Sequence, residues 1–447
     1  MNYLTLSNPN SIFNPPIVSP HLTKSTYKSV SGSFSLPKLV PNPHKNMGYL
    51  RKPIFDSRFN NGYSSMEKRL SGASFSFRIG GDVVKVRCES KNEDDAFYMR
   101  KSVELAKQAI GCTSPNPMVG CIIVKDGKIV GQGFHPKAGQ PHAEVFALRD
   151  AGEKAENATA YVTLEPCNHY GKTPPCSEAL IKAKVKKVVV GMVDPNPIVS
   201  SRGINRLQEA GIEVVVGVEE DLCNKLNEAF IHKMISGKPF VTLRYSISVN
   251  AVLIDQLGDK VAERGGYYSQ LLQEYDAVIH AATTTMDKAM SFVTSQEPNA
   301  RQPQQIFIAK KSDFLNWDLE LLVEADCKPI IFVDEEVILP PEMSQKGIET
   351  VVMDDISLDA VLEYCSRQGM CNVLVDLRGK LSVWEDVLEK GFLTNSVQKV
   401  VVEVLPLWVG DDVNLSSSTM MSLTQSKRLK NLSTRIIQDT VLLEGYF

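Results

Sequence analysis

The chain lacks most of what would tie it to a membrane, to nucleic acid or to an oxidising compartment. No run of its 447 residues is apolar over the roughly 20 positions that a spanning helix needs, so no membrane association is expected. Lys and Arg (49) are balanced by Asp and Glu (52), a net charge of -3, which leaves no basic surplus to attract a phosphate backbone. No nucleic-acid partner is expected either. The nine cysteines are odd in number and scattered, unlike the even, dense framework of a secreted scaffold, and a reducing compartment fits them better. Acid is missing altogether between Met1 and Phe55, where Ser, Pro and Asn abound and Lys24, Lys28, Lys38, Lys45, Arg51 and Lys52 are spaced along the segment. That is the composition of an organelle transit peptide. Residues 1–90 are accordingly expected to be leader and structureless linker, cleaved before Cys88.

The remaining length suits two domains. A helical stripe through Phe97, Met99, Val103, Ala106 and Ile110 follows the helix-starting Asn92, Glu93 and Asp94. Two strands, Val119 to Val124 and Ile129 to Phe134, flank the turn Lys125-Asp126-Gly127. Helices (His142 to Ala151, Ser177 to Ala183, Ile204 to Ala210) then alternate with strands (Ala160 to Leu164, Lys187 to Met192, Ile212 to Val218), which predicts a three-layer α/β domain over 91–237. One amphipathic helix is predicted over Glu219 to Ile235. After Gly237-Lys238-Pro239, strand candidates at Phe240 to Val249, Ala277 to Ala281, Ile306 to Ala309, Pro329 to Val333, Thr350 to Met353, Asn372 to Asp376 and Lys399 to Val404 predict a second α/β domain over 238–447, its sheet mostly parallel.

One group of residues stands out chemically. Hydrolytic zinc sites use three protein ligands and keep a fourth position open. His142 and Glu144 open a helix after Pro141, Cys167 closes a strand after Glu165-Pro166, and Cys176 starts the next helix. Positions i and i+2 of a helix point about 200° apart, so His142 and Glu144 can share one centre only at a helix start. A His-x-Glu followed by Pro-Cys and a later Cys is the pattern of zinc deaminases, in which zinc activates water and the glutamate moves protons. Taken singly, Cys112, Cys121, Cys223, Cys327, Cys365 and Cys371 read as small buried hydrophobes, and His232 and His280 as satisfied core histidines. A closed structural zinc site would need a fourth ligand, for which His169 is the nearby candidate.

Ser114-Pro115-Asn116-Pro117-Met118-Val119-Gly120, the His142-Ala143-Glu144-Val145 helix start, the run from Leu164 to Cys176 and Asp194-Pro195-Asn196-Pro197 closely resemble the deaminase half of the bifunctional riboflavin-biosynthesis deaminase/reductase family, over about Asn92 to Lys238. The resemblance implies a cytidine-deaminase-like α/β/α domain holding one Zn2+ per chain on His142, Cys167 and Cys176, with Glu144 as the catalytic proton shuttle. It implies a pyrimidine ribotide as substrate, with Asn116 and His135 orienting the ring. Ala143, His169, Lys172, Thr173, Asp194 and Asn196 match further substrate-binding positions. Ser201 stands where the family usually has Gly.

The C-terminal half is similar to the family's reductase domain, which is dihydrofolate-reductase-like, but its motifs are degenerate. Arg244 replaces a Lys, Asn250-Ala251 replaces Asp-Gly, Lys288-Ala289-Met290 replaces Asp-Asp-Pro, and Leu377-Arg378-Gly379-Lys380 replaces a glycine-rich turn. Large side chains at Leu377 and Arg378 would keep a dinucleotide phosphate from the backbone, so NADPH binding is not expected and no cofactor-binding residue is assigned. This arrangement resembles the plant monofunctional deaminases, and with the leader it implies the plastid stroma. A homodimer is the expected assembly. The competing expectations are a bifunctional enzyme, a non-catalytic zinc scaffold, and a tRNA or mononucleotide deaminase.

Overall fold

The computed structural model describes residues 93–447 except 171–173, 198–199, 282–293, 312–327, 411–426 and parts of 338–346 and 379–389. Of 75–79 and 82–86 it describes the backbone alone. These two segments, β1 (Phe75–Ile79) and β2 (Asp82–Val86), pair antiparallel. A hairpin thus lies within the stretch expected to be structureless, and its signal was the Gly80-Gly81 pair between two short runs rich in Phe and Val.

Five strands make the first main sheet: β3 (Gly120–Lys125), β4 (Lys128–Phe134), β5 (Thr159–Leu164), β6 (Lys187–Met192) and β7 (Glu213–Val216), in the order β4-β3-β5-β6-β7. The β3–β4 and β3–β5 pairs are antiparallel, and β5–β6 and β6–β7 are parallel. The hairpin turns where the sequence places it, with Asp126 (φ 50°) and Gly127 (φ 72°) both left-handed.

Helices α1 (Glu93–Ala106) and α5 (Glu220–Leu226) cover one face. On the other lie α2 (Ala143–Ala151), α3 (Cys176–Lys182) and α4 (Arg202–Glu209). The layers approach closely because glycine permits it. A Cβ on Gly133 would stand 2.7 Å from the Ala143 carbonyl oxygen, so any larger residue would push the first turn of α2 off the sheet.

The single amphipathic helix predicted over Glu219 to Ile235 is instead two, α5 and α6 (Glu228–Ser236), broken at Asn227. Asn227 leaves helical geometry (φ -118°, ψ 22°) and spends its buried amide on the backbone of Met118, accepting from its N–H (2.8 Å) and donating to its carbonyl (2.9 Å). Apolar periodicity carries no trace of such a polar clamp.

The second sheet is centred on β8 (Phe240–Ser248), flanked in parallel by β14 (Asn372–Asp376) and β15 (Lys399–Leu405). Beyond β14 lie β10 (Ala277–Ala281), β11 (Gln304–Ala309), β12 (Ile330–Val333) and β13 (Glu349–Val352), all parallel, with helix α8 (Leu358–Arg367) packed in the same core. Short α7 (Tyr267–Leu272) precedes β10, and β9 (Leu253–Ile254) pairs with β8. The predicted strands are all present. The sheet also continues past β15 into an antiparallel hairpin absent from the prediction, β16 (Lys430–Ile437) and β17 (Thr440–Tyr446).

Candidate active site

His142 is the residue immediately before α2, with extended backbone (φ -75°, ψ 164°) and a side chain that makes no cap hydrogen bond. Its ring is therefore free to face away from the helix, and Glu144, in the first turn, faces the same cavity. Cys167 lies just beyond the end of β5, and Cys176 is the first residue of α3. Two strand-to-helix junctions thus deliver three donors to one point. His142 Nδ1 is 3.5 Å from Cys167 Sγ and 3.4 Å from Cys176 Sγ, and all three donor atoms lie within 4.8 Å of one another.

This donor set fits zinc: two thiols and one imidazole, no fourth ligand grouped with them among the described residues, and a carboxylate alongside. Glu144 is 3% exposed, and its Oε2 has no hydrogen-bond partner, which is costly unless the site normally supplies one. Burial, then the neighbouring Cys167, raise the Glu144 carboxyl to about 7. The Cys167 thiol is drawn down to about 4, first by the hydrogen bond from the Cys176 thiol, while Cys176 is pushed up by the same bond. His142 is raised, chiefly by its hydrogen bond with Cys167. One thiolate, one thiol and a basic imidazole are ready to exchange protons for a metal.

The cavity around this centre has a volume of about 250 Å³. Asn116 and His135 line it together: His135 Nδ1 lies 3.0 Å from the Pro141 carbonyl, which can only accept, so the proton sits on Nδ1 and Nε2 accepts from Asn116 Nδ2 at 3.1 Å. Burial lowers the His135 pKa and keeps the ring neutral. The Asn116 carbonyl is thereby the end of the amide left to face a ligand. His169, Asp194 and Asn196 line the cavity too, His169 at its exposed rim. His169 is not in the donor group, so the closed four-ligand site loses its candidate among the described residues. Ala143 packs its methyl into the core and has only backbone to offer a ligand. Lys172 and Thr173 lie outside the described residues.

Several cavity residues were given no role by sequence reasoning, and three of them matter most to the cavity's shape. Phe230 and Met234, one turn apart on α6, close one wall, and their i, i+4 spacing was the available signal. Glu165, 5% exposed, is the third. Its carboxylate accepts the backbone N–H groups of Gly203 (2.9 Å), Ser201 (2.9 Å), Asp194 (3.1 Å) and Ile204 (3.3 Å), so it caps α4 and pins the loop that carries Asp194 and Asn196. Only the three-dimensional course of that loop reveals this role.

Residues 92–192 match the family model described as the cytidine and deoxycytidylate deaminase zinc-binding region. Over 438 residues the chain is 51% identical to the chloroplastic riboflavin biosynthesis protein PYRD of Arabidopsis thaliana, covering 97% of this chain and 99% of that protein. Among solved structures it is similar to Acinetobacter baumannii RibD (32% identity, 80% of this chain, 99% of that one, TM-score 0.64). It is also similar to the Thermotoga maritima diaminohydroxyphosphoribosylaminopyrimidine deaminase/5-amino-6-(5-phosphoribosylamino)uracil reductase (28% identity, 79% and 99%, TM-score 0.66). With a zinc-type donor set, a carboxyl poised near neutrality and this likeness along nearly its whole length, the chain belongs to the PYRD/RibD family of riboflavin-biosynthesis proteins and is a zinc-dependent deaminase.

Proposed function

We propose that the chain hydrolyses 2,5-diamino-6-(5-phosphoribosylamino)pyrimidin-4(3H)-one to 5-amino-6-(5-phosphoribosylamino)uracil and ammonia, the second step of riboflavin biosynthesis from GTP, in the plastid stroma, once a leader within residues 1–90 has been removed. The observation that carries this reading is the convergence of His142, Cys167 and Cys176 beside the unpartnered Glu144 oxygen, at the base of a cavity large enough for a pyrimidine.

His142, Cys167 and Cys176 would hold a zinc ion, which would supply Lewis acidity to make water nucleophilic near neutral pH. Glu144, near 7, would take one proton of the attacking water and give it to the ring nitrogen as the tetrahedral carbon forms, then take the remaining proton of the added hydroxyl and give it to the amino group, which leaves as ammonia. The Asn116 carbonyl, oriented by neutral His135, accepts from the pyrimidine and fixes its position. His169, Asp194 and Asn196, with Lys172 and Thr173, hold the ribose phosphate end.

Residues 91–237 are the deaminase domain and 238–447 a reductase-like domain that does not use NADPH. Arg244, fully buried at the centre of β8, ion-pairs with Asp376 (3.2 Å) and Glu403 and donates to Tyr267 (3.0 Å). Arg378 is buried against the same Asp376 (2.6 Å). These side chains are committed to one another, which supports a filled site over a nucleotide pocket. We also propose a homodimer, the commonest closed assembly for a soluble enzyme.

The test uses purified protein from Lys91 onward. About one zinc per chain, ammonia release from the ribotide that is indifferent to NADPH, and its loss in Glu144→Gln are the expected results. Bound zinc without turnover would favour a scaffold, and NADPH consumption a bifunctional enzyme.

A further inference from the structure

Asn116 sits in an irregular loop, 111–118, of which Thr113 alone is buried. One side borders the catalytic cavity. The other borders a second cavity of about 420 Å³ between the first sheet's helices and the C-terminal sheet, and both Asn116 and Phe230 line the two cavities. A loop open on both flanks takes its place from polar ties rather than from packing.

One set of ties is the Asn227 clamp on Met118. The other comes from the C-terminal sheet. Asp276, at the entrance to β10 and 8% exposed, accepts the Ser114 hydroxyl at 2.7 Å, two residues from Asn116. The same carboxylate oxygen accepts the N–H of Cys371 (2.7 Å) and of Asn372 (3.2 Å), at the start of β14, and Arg301 lies 3.6 Å from the other oxygen. The parallel pair β10–β14 therefore fixes the carboxylate, and the loop must come to it. Two further contacts lie beside this bond. A Cβ on Gly111 (φ 72°) would stand 2.0 Å from the Gln273 carbonyl oxygen, and the Cys371 thiol lies 3.9 Å from the Pro115 carbonyl.

We propose that Asp276 is a positioning residue for deamination: through Ser114 it holds the loop that presents Asn116 to the pyrimidine. The inference rests on the role given to Asn116 above. It assigns the C-terminal half a purpose that requires no nucleotide, namely a rigid backing for the substrate-orienting loop. A hydrogen bond to a charged group is worth about tenfold or more in an equilibrium constant, so one hydroxyl–carboxylate bond at this place is enough to matter.

The test is steady-state ammonia release by the full chain, alongside zinc content and thermal stability, for wild type, Ser114→Ala, Asp276→Ala and the double variant. Ser114→Ala leaves the backbone bonds of Asp276 untouched and guards against a misfolded Asp276→Ala. The expected result is a fall of about tenfold in kcat/KM, carried mainly by KM, with zinc content unchanged, because Asn116 grips ground state and transition state alike. The double variant should be no worse than Asp276→Ala alone, since both changes remove the Ser114–Asp276 bond. A Ser114→Ala enzyme within twofold of wild type, or additive losses in the double variant, overturns the inference. A wild-type chain inactive on the ribotide overturns the proposed function and this inference with it.

Discussion

The Glu165 carboxylate receives the Gly203 amide at 2.9 Å, at a point where a Cβ on Gly203 would stand 1.9 Å from the Pro166 carbonyl oxygen. Cys167 is the next residue along. The first turn of α4 is thus pressed onto the backbone that aims the proposed metal donor Cys167, with no space for a methyl group between them.

Gly203→Ala should therefore destabilise the chain by about 3 kcal/mol, the scale of a forced overpacking against backbone. Because the displaced atoms adjoin Cys167, zinc occupancy should fall with stability. Denaturant unfolding and metal analysis on the same preparation check this, and a variant that keeps full zinc and wild-type stability would mean that the α4 approach is not built into the metal site.

Glu165→Gln keeps the size but leaves one carbonyl oxygen to serve four backbone donors and turns an NH2 group towards them. A loss of about 2 kcal/mol is expected from unpaired buried amides. The kinetic loss should fall on KM for the ribotide more than on kcat, because the freed loop carries Asp194 and Asn196 and not Glu144, the proposed proton shuttle. Equal loss in both parameters would count against that division.

Ser201 holds a left-handed conformation (φ 63°, ψ 0°) at the N-terminus of α4. A residue with a Cβ spends about 1 kcal/mol there, so Ser201→Gly should stabilise the chain by up to that amount while retaining the N–H bond to Glu165. A rise in the denaturation midpoint at constant slope is the reading to look for.

Much of this architecture could be read from residues alone. Lys125-Asp126-Gly127 marked the hairpin, because a tight turn demands particular residue types at short spacing, and His142, Cys167 and Cys176, which the fold brings together, stood out by residue type. The parts that could not be read depend on residues far apart in the chain. Asn227 breaks a helix that apolar periodicity predicts as continuous, since its amide is needed by Met118, 109 positions away. Glu165 looks like any strand-end acid until the loop from Asp194 to Ile204 folds over it. The β16–β17 hairpin was missed for a different reason: β16 is exposed along nearly its whole length, so burial never selected an apolar pattern for it.

Proton release should accompany zinc uptake. With Cys167 held near 4 it is already ionised at neutral pH, whereas Cys176 and His142, both raised, still carry protons that zinc must displace. Calorimetry of zinc binding to chelator-stripped protein, in two buffers of different ionisation heat at about pH 6, should show between one and two protons released per metal. Cys176→Ser should abolish both the uptake and the proton signal.

His280 gives the C-terminal sheet an acid weakness. It lies buried on β10, hydrogen-bonded to Gln305 at 2.9 Å, and its pKa is lowered to about 4, first by burial and then by Arg378. The folded chain therefore refuses a proton that the unfolded chain takes near 6.5, so its contribution to stability is present above that pH and is lost as pH falls towards 4. The ceiling of that loss is about 3 kcal/mol, from roughly 1.36 kcal/mol per pKa unit. Glu144 in the metal-free chain has the opposite slope, since its raised carboxyl favours the folded state as pH falls from 7. The informative quantity is thus the difference between wild type and His280→Gln, measured by denaturant unfolding of zinc-loaded protein at pH 7.5, 6 and 5. The wild type should lose more stability than the variant over that range, and parallel profiles would place the acid weakness elsewhere.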